Sequence, residues 1–384
     1  MLNDFQPIGP VAVGVVGAGQ LARMMGEAAR AAGVTLTVLA SSLDDSALAT
    51  SEASIIGEPT DMAALEQLAE AVDVVTFDHE LVDLEQIAAL EAGGVVVRPN
   101  AHALKCAVDK GYQRKTFDGA GIAVPRFIVV ASASDPLLNG FLDSVGTPVV
   151  KSARGGYDGR GVRFPASRAE TLEVINEMTS FGSVVVEERL NLRAELALVA
   201  VRGVHGEYAS YPLVTTVQSR GMCIEVRFPA EVDESTAHEA TRLGRKIANL
   251  IDAVGVVAIE FFFTDRGLIV NEIALRPHNS GHWTIEGART SQFTNHLLAV
   301  SGQKLQSTEP VAPAVVMVNV VGADEPSSLE AAQGIAGVHV HDYGKSWRPD
   351  RKLGHVTVVG DDPHAVHVTA WEGARAYGTR TRES

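Results

Sequence analysis

Cysteine is nearly missing from this chain of 384 residues: there are two, Cys106 and Cys223. They lie far apart and in no Cys-x-x-Cys or Cys/His cluster. That excludes a zinc ribbon and a disulfide framework, and points to free thiols in a reducing compartment. Long apolar runs are missing too. None approaches the roughly 20 residues needed to cross a bilayer. The stretch Met1–Pro10 has no basic region followed by an apolar core, so no secretory signal is expected. The expectation is a soluble, cytoplasmic protein without a membrane partner. Positive charge is scarce, with 32 Lys and Arg against 47 Asp and Glu and a net charge of −15. Such a field repels a long phosphate backbone, which sets nucleic acid aside as a partner. A small anion can still be held where cations converge. No internal repeat or low-complexity linker occurs.

What is present is apolar material enough for several cores, 46% of the residues, at a length that suggests two or three domains. Residues 11–100 alternate strands and helices. Val11–Val16, Val34–Leu39, Val72–Phe77 and Val95–Val97 read as strands. Leu21–Ala32, ended by Gly33, reads as a helix, and so does the segment opened by Asp61. This rhythm implies a parallel sheet covered by helices. Asn100 caps a further helix, expected to run to about Phe117. The pattern then changes to strands mixed with a few helices up to about Phe263. Glu234–Asp252 is the best helix there, with Ala240, Leu243, Ile247 and Ile251 on one stripe. Val256–Phe263 and Leu268–Glu272 read as two strands around the turn at Asp265-Arg266. A small unit of strands begins near Pro313.

Five clusters carry chemistry. Gly17-Ala18-Gly19-Gln20 after the first strand fits a dinucleotide fingerprint. However, the acid that should end the second strand and hold a ribose is missing. A tight turn serving another phosphate, or none, reads better than a nicotinamide site. Second, Lys151 ends a strand before a loop with four glycines in the seven residues Gly155–Gly161. Its free backbone N–H groups can wrap phosphate oxygens, with Lys151 reaching the α- or β-phosphate. Third, a hairpin centred near Arg266 would set Glu260 opposite Glu272. Like charges directly across a ladder are unfavourable, and burial adds desolvation cost. A divalent cation resolves both, and Asn271 adds another hard oxygen. Fourth, Arg276-Pro277-His278-Asn279-Ser280-Gly281-His282-Trp283-Thr284 suits an anionic reactant beside a transferring phosphoryl group. Fifth, Lys345, Arg348, Arg351, Lys352 and His355 fall within eleven residues. They form either a solvated basic face or a monophosphate pocket.

Taken in order, these motifs resemble the 5-(carboxyamino)imidazole ribonucleotide synthetase family (PurK) of the ATP-grasp superfamily. The resemblance runs from Gly17 to about His355. It includes Thr76-Phe77-Asp78-His79-Glu80, Ser291-Gln292-Phe293 and, most specifically, His278–Thr284. It implies an α/β and α+β architecture: an N-terminal doubly wound parallel-sheet domain (1–104), a central two-lobed ATP-grasp domain (105–312, mobile lobe about 125–190) and a small C-terminal domain (313–384). It implies that ATP phosphorylates bicarbonate to carboxyphosphate, and that the amine of 5-aminoimidazole ribonucleotide captures the carboxyl group. By position Lys110, Lys151, Gly156, Tyr157, Asp158, Gly159, Arg160, Gly161, Glu187, Glu188, Arg189, Leu190, Glu195, Gln218, Asn271 and Glu272 are implied around ATP, Glu195 at the ribose hydroxyls. Glu260 and Glu272 are implied to hold Mg²⁺, or Mn²⁺ in its place, and no biotin is implied. Gln20, Glu80, Tyr157, Arg160, Asn279, Ser280, Lys345, Arg351 and Lys352 are implied around the ribonucleotide. Arg276 and His278 are implied at bicarbonate and proton handling beside Lys151. A homodimer is implied as well. Lys110, Ala153, Val162, Gln218 and Leu275 depart from the family pattern, which has Arg, Arg, Gln, His and Pro there. Competing expectations are another ATP-grasp ligase (glycinamide ribonucleotide transformylase or biotin carboxylase), a nicotinamide-dependent oxidoreductase and an inactive nucleotide-binding regulator. The intact Lys151, Glu260 and Glu272 speak against the last.

Overall fold

The computed structural model describes residues 10–156, 161–323 and 328–379. Its first unit follows from the alternating pattern: β1 (Val11–Val16), α1 (Gln20–Ala32), β2 (Val34–Ala40), β3 (Ala53–Ile56), α2 (Met62–Glu70), β4 (Val74–Phe77) and α3 (Leu84–Ala92). The four strands form a parallel sheet in the order β3-β2-β1-β4. α1 lays Leu21, Ala22, Met24 and Met25 on that sheet and ends where Gly33 turns left-handed at φ 66°, a conformation glycine takes without steric cost. Its other neighbours are Phe293, Leu297 and Leu298, so one core joins the first unit to the body of the protein. Each such side chain, fully buried, contributes about 1.5–3 kcal/mol. Val95–Val97 does not become a strand. Val97 makes only an isolated bridge to Val75, since Gly93-Gly94 precede it and Pro99, which lacks an N–H, follows.

The helix expected over residues 100–117 is two helices, α4 (Ala101–Val108) and α5 (Lys110–Gly119). Asp109 leaves helical geometry (φ −119°, ψ 102°), and its carboxylate accepts from Tyr112 N. An aspartate that caps a new helix ends the old one. The break frees Lys110 N to donate to Ala153 O at 2.8 Å.

A small antiparallel sheet follows, in the order β5 (Phe127–Val130), β8 (Val184–Glu187), β6 (Val149–Ser152), β7 (Val162–Arg163), backed by α6 (Leu138–Val145) and α7 (Arg168–Thr179). The rest is one large antiparallel sheet. It holds β9 (Ala194–Arg202), β10 (Tyr208–Ser210), β11 (Val214–Ser219), β12 (Met222–Phe228), β13 (Gly255–Thr264) and β14 (Gly267–Ala274). α8 (Glu234–Leu250) covers it through Ala240, Leu243 and Ile247. A Cβ on Gly244 would stand 2.6 Å from Leu198 Cδ2 and from the Tyr208 hydroxyl, so a larger residue there would make those side chains give way. α9 (Thr284–Gly287) and α10 (Gln292–Val300) lead to β15 (Ala314–Val321), α11 (Leu329–Gln333), β16 (Val338–Asp342), β17 (Lys352–Gly360) and α12 (Pro363–Ala376). The strands after Pro313 do not form a sheet of their own. β15 pairs with β12, and the nine strands are continuous. No helix of the described residues is long and apolar enough to cross a membrane.

Candidate active site

The hairpin of β13 and β14 carries the centre of the site. Thr264↔Gly267, Phe263↔Leu268, Phe262↔Ile269 and Phe261↔Val270 are register partners. Continued regularly, that ladder would bring Asn271 opposite Glu260. A β-bulge intervenes, and Glu272 becomes the partner of Glu260. Asn271 is the extra residue. Its Nδ2 lies 3.4 Å from Glu260 Oε2.

Three carboxylates meet here with two ammonium groups. Burial, then the charges of Glu272 and Glu195, push Glu260 up to about 7. Burial likewise raises Glu195, against the pull of Lys151. For Glu272 burial also opposes ionisation. Lys110, 2.5 Å away, with Lys151 and His278, outweighs it and holds the carboxyl below its ordinary range. Lys151 Nζ lies 2.8 Å from Glu187 Oε2 and 3.0 Å from Asn271 Oδ1. The donor set at Glu260, Glu272 and Asn271 Oδ1 is all hard oxygen, which fits Mg²⁺ or Mn²⁺. Among the described residues no third His, Cys, Asp or Glu converges with metal-binding geometry.

Arg114 escaped the sequence reading. It is fully buried. Its Nε donates to Glu187 Oε1 at 2.7 Å, and its Nη2 to the Asn271 carbonyl at 2.7 Å. Burial works against ionising Glu187, but Arg114 and Lys151 bring its carboxyl down to about 2. A signal existed: Lys110, Arg114 and Phe117 share one helical face at i, i+4 and i+7, and an arginine in line with a core phenylalanine is a candidate for burial. Glu187 therefore presents its carboxylate to protein cations. Glu188 is engaged as well, by Arg126 and Arg266 at 2.7–3.1 Å. Arg189 stacks over Phe164, and Leu190 is half-buried. Gln218 sits at a bulge in β11, two residues from Thr216, the register partner of Glu195.

Of the glycine loop, Gly155, Gly156 and Gly161 are described. Tyr157, Asp158, Gly159 and Arg160 lie outside the described residues. The base of the loop is closed by Ser152 N donating to Gly161 O at 2.8 Å.

On the far side of Glu260 stands the loop after β14. His278 Nε2 is 3.9 Å from Glu260 Oε1. The buried Gln292 clamps His278 from both ends: its Oε1 accepts from His278 N at 2.9 Å and its Nε2 donates to His278 O at 2.7 Å. Asn279 Oδ1 accepts from Asn319 at 2.8 Å, while Asn279 Nδ2 is buried without a partner. Ser280 is buried, with its Oγ 2.9 Å from His278 Nδ1. Arg276 Nε donates to Glu80 Oε2 at 2.7 Å, and Leu275 N donates to Glu80 Oε1 at 3.3 Å. A proline at 275 could not make the second bond, so Leu275 gives Glu80 a second tether.

The first unit reaches the same place. Asp78 accepts from Gly19 N at 2.6 Å and Ala22 N at 3.1 Å. The protein's own carboxylate thus fills the N-terminus of α1, where a dinucleotide phosphate would have to sit. Gln20 Oε1 accepts from Lys345 Nζ at 2.6 Å. Lys352, at the start of β17, lies close enough to oppose the upward shift of Glu260. Arg351 does not point into this network; its Nη1 donates to Ser346 Oγ and Ser346 O.

Known proteins are similar to this chain over nearly its whole length. Residues 115–293 match the ATP-grasp domain, residues 11–108 the ribonucleotide synthetase preATP-grasp domain, and residues 315–369 the phosphoribosylaminoimidazole carboxylase C-terminal domain. The N5-carboxyaminoimidazole ribonucleotide synthase of Mycobacterium tuberculosis (strain ATCC 25618 / H37Rv) is 44% identical over 362 residues, 91% of this chain and 84% of that one. That of Corynebacterium ammoniagenes is 38% identical over 367 residues, 92% and 89%. The crystal structure of the Thermus thermophilus synthetase superposes with a TM-score of 0.88 at 35% identity, covering 97% of this chain and 100% of that one. An Aspergillus clavatus synthase solved in complex with ADP and 5-aminoimidazole ribonucleotide superposes with a TM-score of 0.86 at 29% identity, covering 96% and 99%. The motif order, the site geometry and these likenesses over nearly the whole chain agree: it belongs to the N5-carboxyaminoimidazole ribonucleotide synthase (PurK) family of ATP-grasp ligases.

Proposed function

We propose that this chain carboxylates 5-aminoimidazole ribonucleotide with bicarbonate at the expense of ATP, with the following division of labour. The observation that carries it is the juxtaposition of Lys110, Lys151, Glu260 and Glu272 with the His278 loop across Glu260. A triphosphate at the ammonium groups places its terminal phosphorus next to an anion held by Arg276 and His278. Lys110 and Lys151 take phosphate oxygens, with backbone N–H groups of the glycine loop as further donors. Glu195 takes the ribose hydroxyls. The side chains of Glu187 and Glu188 are already paired, which leaves the base edge to the main chain of Arg189 and Leu190, with Gln218 as a further candidate. Glu260, Glu272 and Asn271 would hold Mg²⁺ or Mn²⁺, which neutralises charge between the β- and γ-phosphates when bound.

A bicarbonate oxygen attacks the γ-phosphorus and ADP leaves, giving carboxyphosphate. The amine nitrogen then attacks the carboxyl carbon, phosphate departs, and one amine proton is lost. His278 stands where it can receive that proton. Gln20, Glu80, Asn279, Ser280, Lys345 and Lys352 are the candidates for holding the ribonucleotide, with Tyr157, Arg160 and Arg351 as further ones. The partnerless Asn279 Nδ2 supports this, since a buried donor needs an acceptor. The buried thiols of Cys106 and Cys223 suit a cytoplasmic setting, and we expect a homodimer. The test is ADP release with each acceptor in turn. ADP that forms only with 5-aminoimidazole ribonucleotide and bicarbonate together supports the reading. Equal release with glycinamide ribonucleotide, or release indifferent to bicarbonate, refutes it.

A further inference from the structure

Glu272 stands opposite Glu260 only because Asn271 is bulged out of the ladder. A bulge breaks regular pairing, so something other than the ladder must hold the extra residue. The structure supplies two bonds on it: Arg114 Nη2 to the Asn271 carbonyl at 2.7 Å, and Lys151 Nζ to Asn271 Oδ1 at 3.0 Å. Lys151 is itself steered by Glu187, whose other oxygen is taken by Arg114 Nε. The third arm of the guanidinium, Nη1, donates to Gln113 Oε1 at 2.7 Å. Each of the three nitrogens thus has a protein partner, and the side chain is fully buried.

We infer that Arg114 is a positioning residue: its guanidinium locks the bulge at Asn271 and thereby the register that makes Glu260 and Glu272 a cation-binding pair. It does so from outside the site, by joining α5, the end of β8 and β14 through one planar fork. The same fork sets Lys151 against Asn271, so the phosphate-binding ammonium and the carboxylate pair are indexed to each other. This rests on the metal role proposed above for Glu260 and Glu272.

The test is equilibrium binding of ADP by calorimetry, with and without Mg²⁺, in wild type, Arg114→Met, Arg114→Gln and Arg114→Lys. The readout is the ratio of the two dissociation constants, which cancels losses in base or ribose binding. We expect wild type to bind ADP at least tenfold tighter with Mg²⁺. The ratio should fall to within about threefold of unity in Arg114→Met and Arg114→Gln, and return largely in Arg114→Lys, whose ammonium can still bridge Glu187 and the carbonyl. If the single neutral variants do not hold the fold, Arg114→Met/Glu187→Met removes both buried charges together and carries the same expectation. A folded neutral variant with the wild-type ratio overturns the inference. A wild-type ratio of unity instead overturns the metal assignment itself, so the two failures are distinguishable.

Discussion

Glu260 ionises at a cost in the folded protein. Burial and the facing charge of Glu272 lift its carboxyl from 4.5 to about 7, which corresponds to roughly 3 kcal/mol against the ionised form. The sign follows from linkage. The folded state binds the proton more tightly than the unfolded state does. The stability that goes with this is fully present below about pH 4.5 and is lost as pH rises through about 7. Glu260→Gln keeps the shape and removes the charge. Without divalent cations the variant should therefore gain on wild type as pH rises, by up to roughly 3 kcal/mol at pH 8 and by little at pH 4.5. In melting temperature that is a few degrees. Saturating Mg-ADP should reverse the order, because only wild type keeps both carboxylates for the cation, and a ligand that binds the folded state stabilises it. Thermal melts of both proteins at pH 4.5 and pH 8, in chelator and in Mg-ADP, decide the matter. A variant that is no more stable than wild type at pH 8 in chelator, relative to pH 4.5, refutes the argument that the facing carboxylates are in tension.

Glu272→Gln removes the other half of the pair and the partner of Lys110; ADP release should fall on the order of 100-fold or more in a folded protein, and a near wild-type rate at saturating Mg²⁺ would count against it. Glu80→Gln weakens the grip on Arg276 and Leu275 N; we expect kcat to fall at least tenfold with the KM for ATP within twofold, measured by steady-state ADP release. Arg351→Ala should raise the KM for the ribonucleotide roughly 10- to 150-fold, the value of one charge-assisted phosphate contact, and leave the KM for ATP unchanged. Because Arg351 is turned toward Ser346, this last outcome requires the side chain to swing on binding, and an unchanged ribonucleotide KM would remove it from the pocket.

Where the pattern is local, the fold was legible. Val11–Val16 and Val34–Ala40 are apolar runs of strand length between turn residues, and α1 shows its buried stripe in its spacing. Nothing tertiary had to be known. Asp61 and Asn100 were readable as caps for the same reason, since the capping oxygen lies two or three residues from its N–H. The failures are places where a distant partner decides. Asp109 looks like one more polar residue in a helix, yet it ends α4 and starts α5, with Lys110 N bonded to Ala153, more than forty residues away. Asp78 read as part of a motif. Its work on the N-terminus of α1 depends on β4 lying beside β1, which periodicity cannot show. That the strands after Pro313 extend the large sheet through β15 beside β12 was likewise out of reach, because sequence gives no sign of which edge a strand will join.

The carboxylate pair is the instructive case, because the expectation was met through a cancellation. Centring the hairpin on Arg266 pairs residue 260 with residue 272 by counting. The turn actually closes with Thr264 opposite Gly267, half a residue earlier, so counting from the real turn would have paired Glu260 with Asn271. The bulge at Asn271 restores the pairing of the two glutamates. A regular hairpin of this length would set an amide, not a carboxylate, across from Glu260, and the repulsion that lifts Glu260 would be weaker. The ladder alone favours that regular alternative. What tips the balance is outside the hairpin, in the bonds that Arg114 and Lys151 make to Asn271. The placement of the second carboxylate is therefore a property of α5 and the small antiparallel sheet as much as of β13 and β14. A reading of the hairpin by itself, however careful, has no access to it.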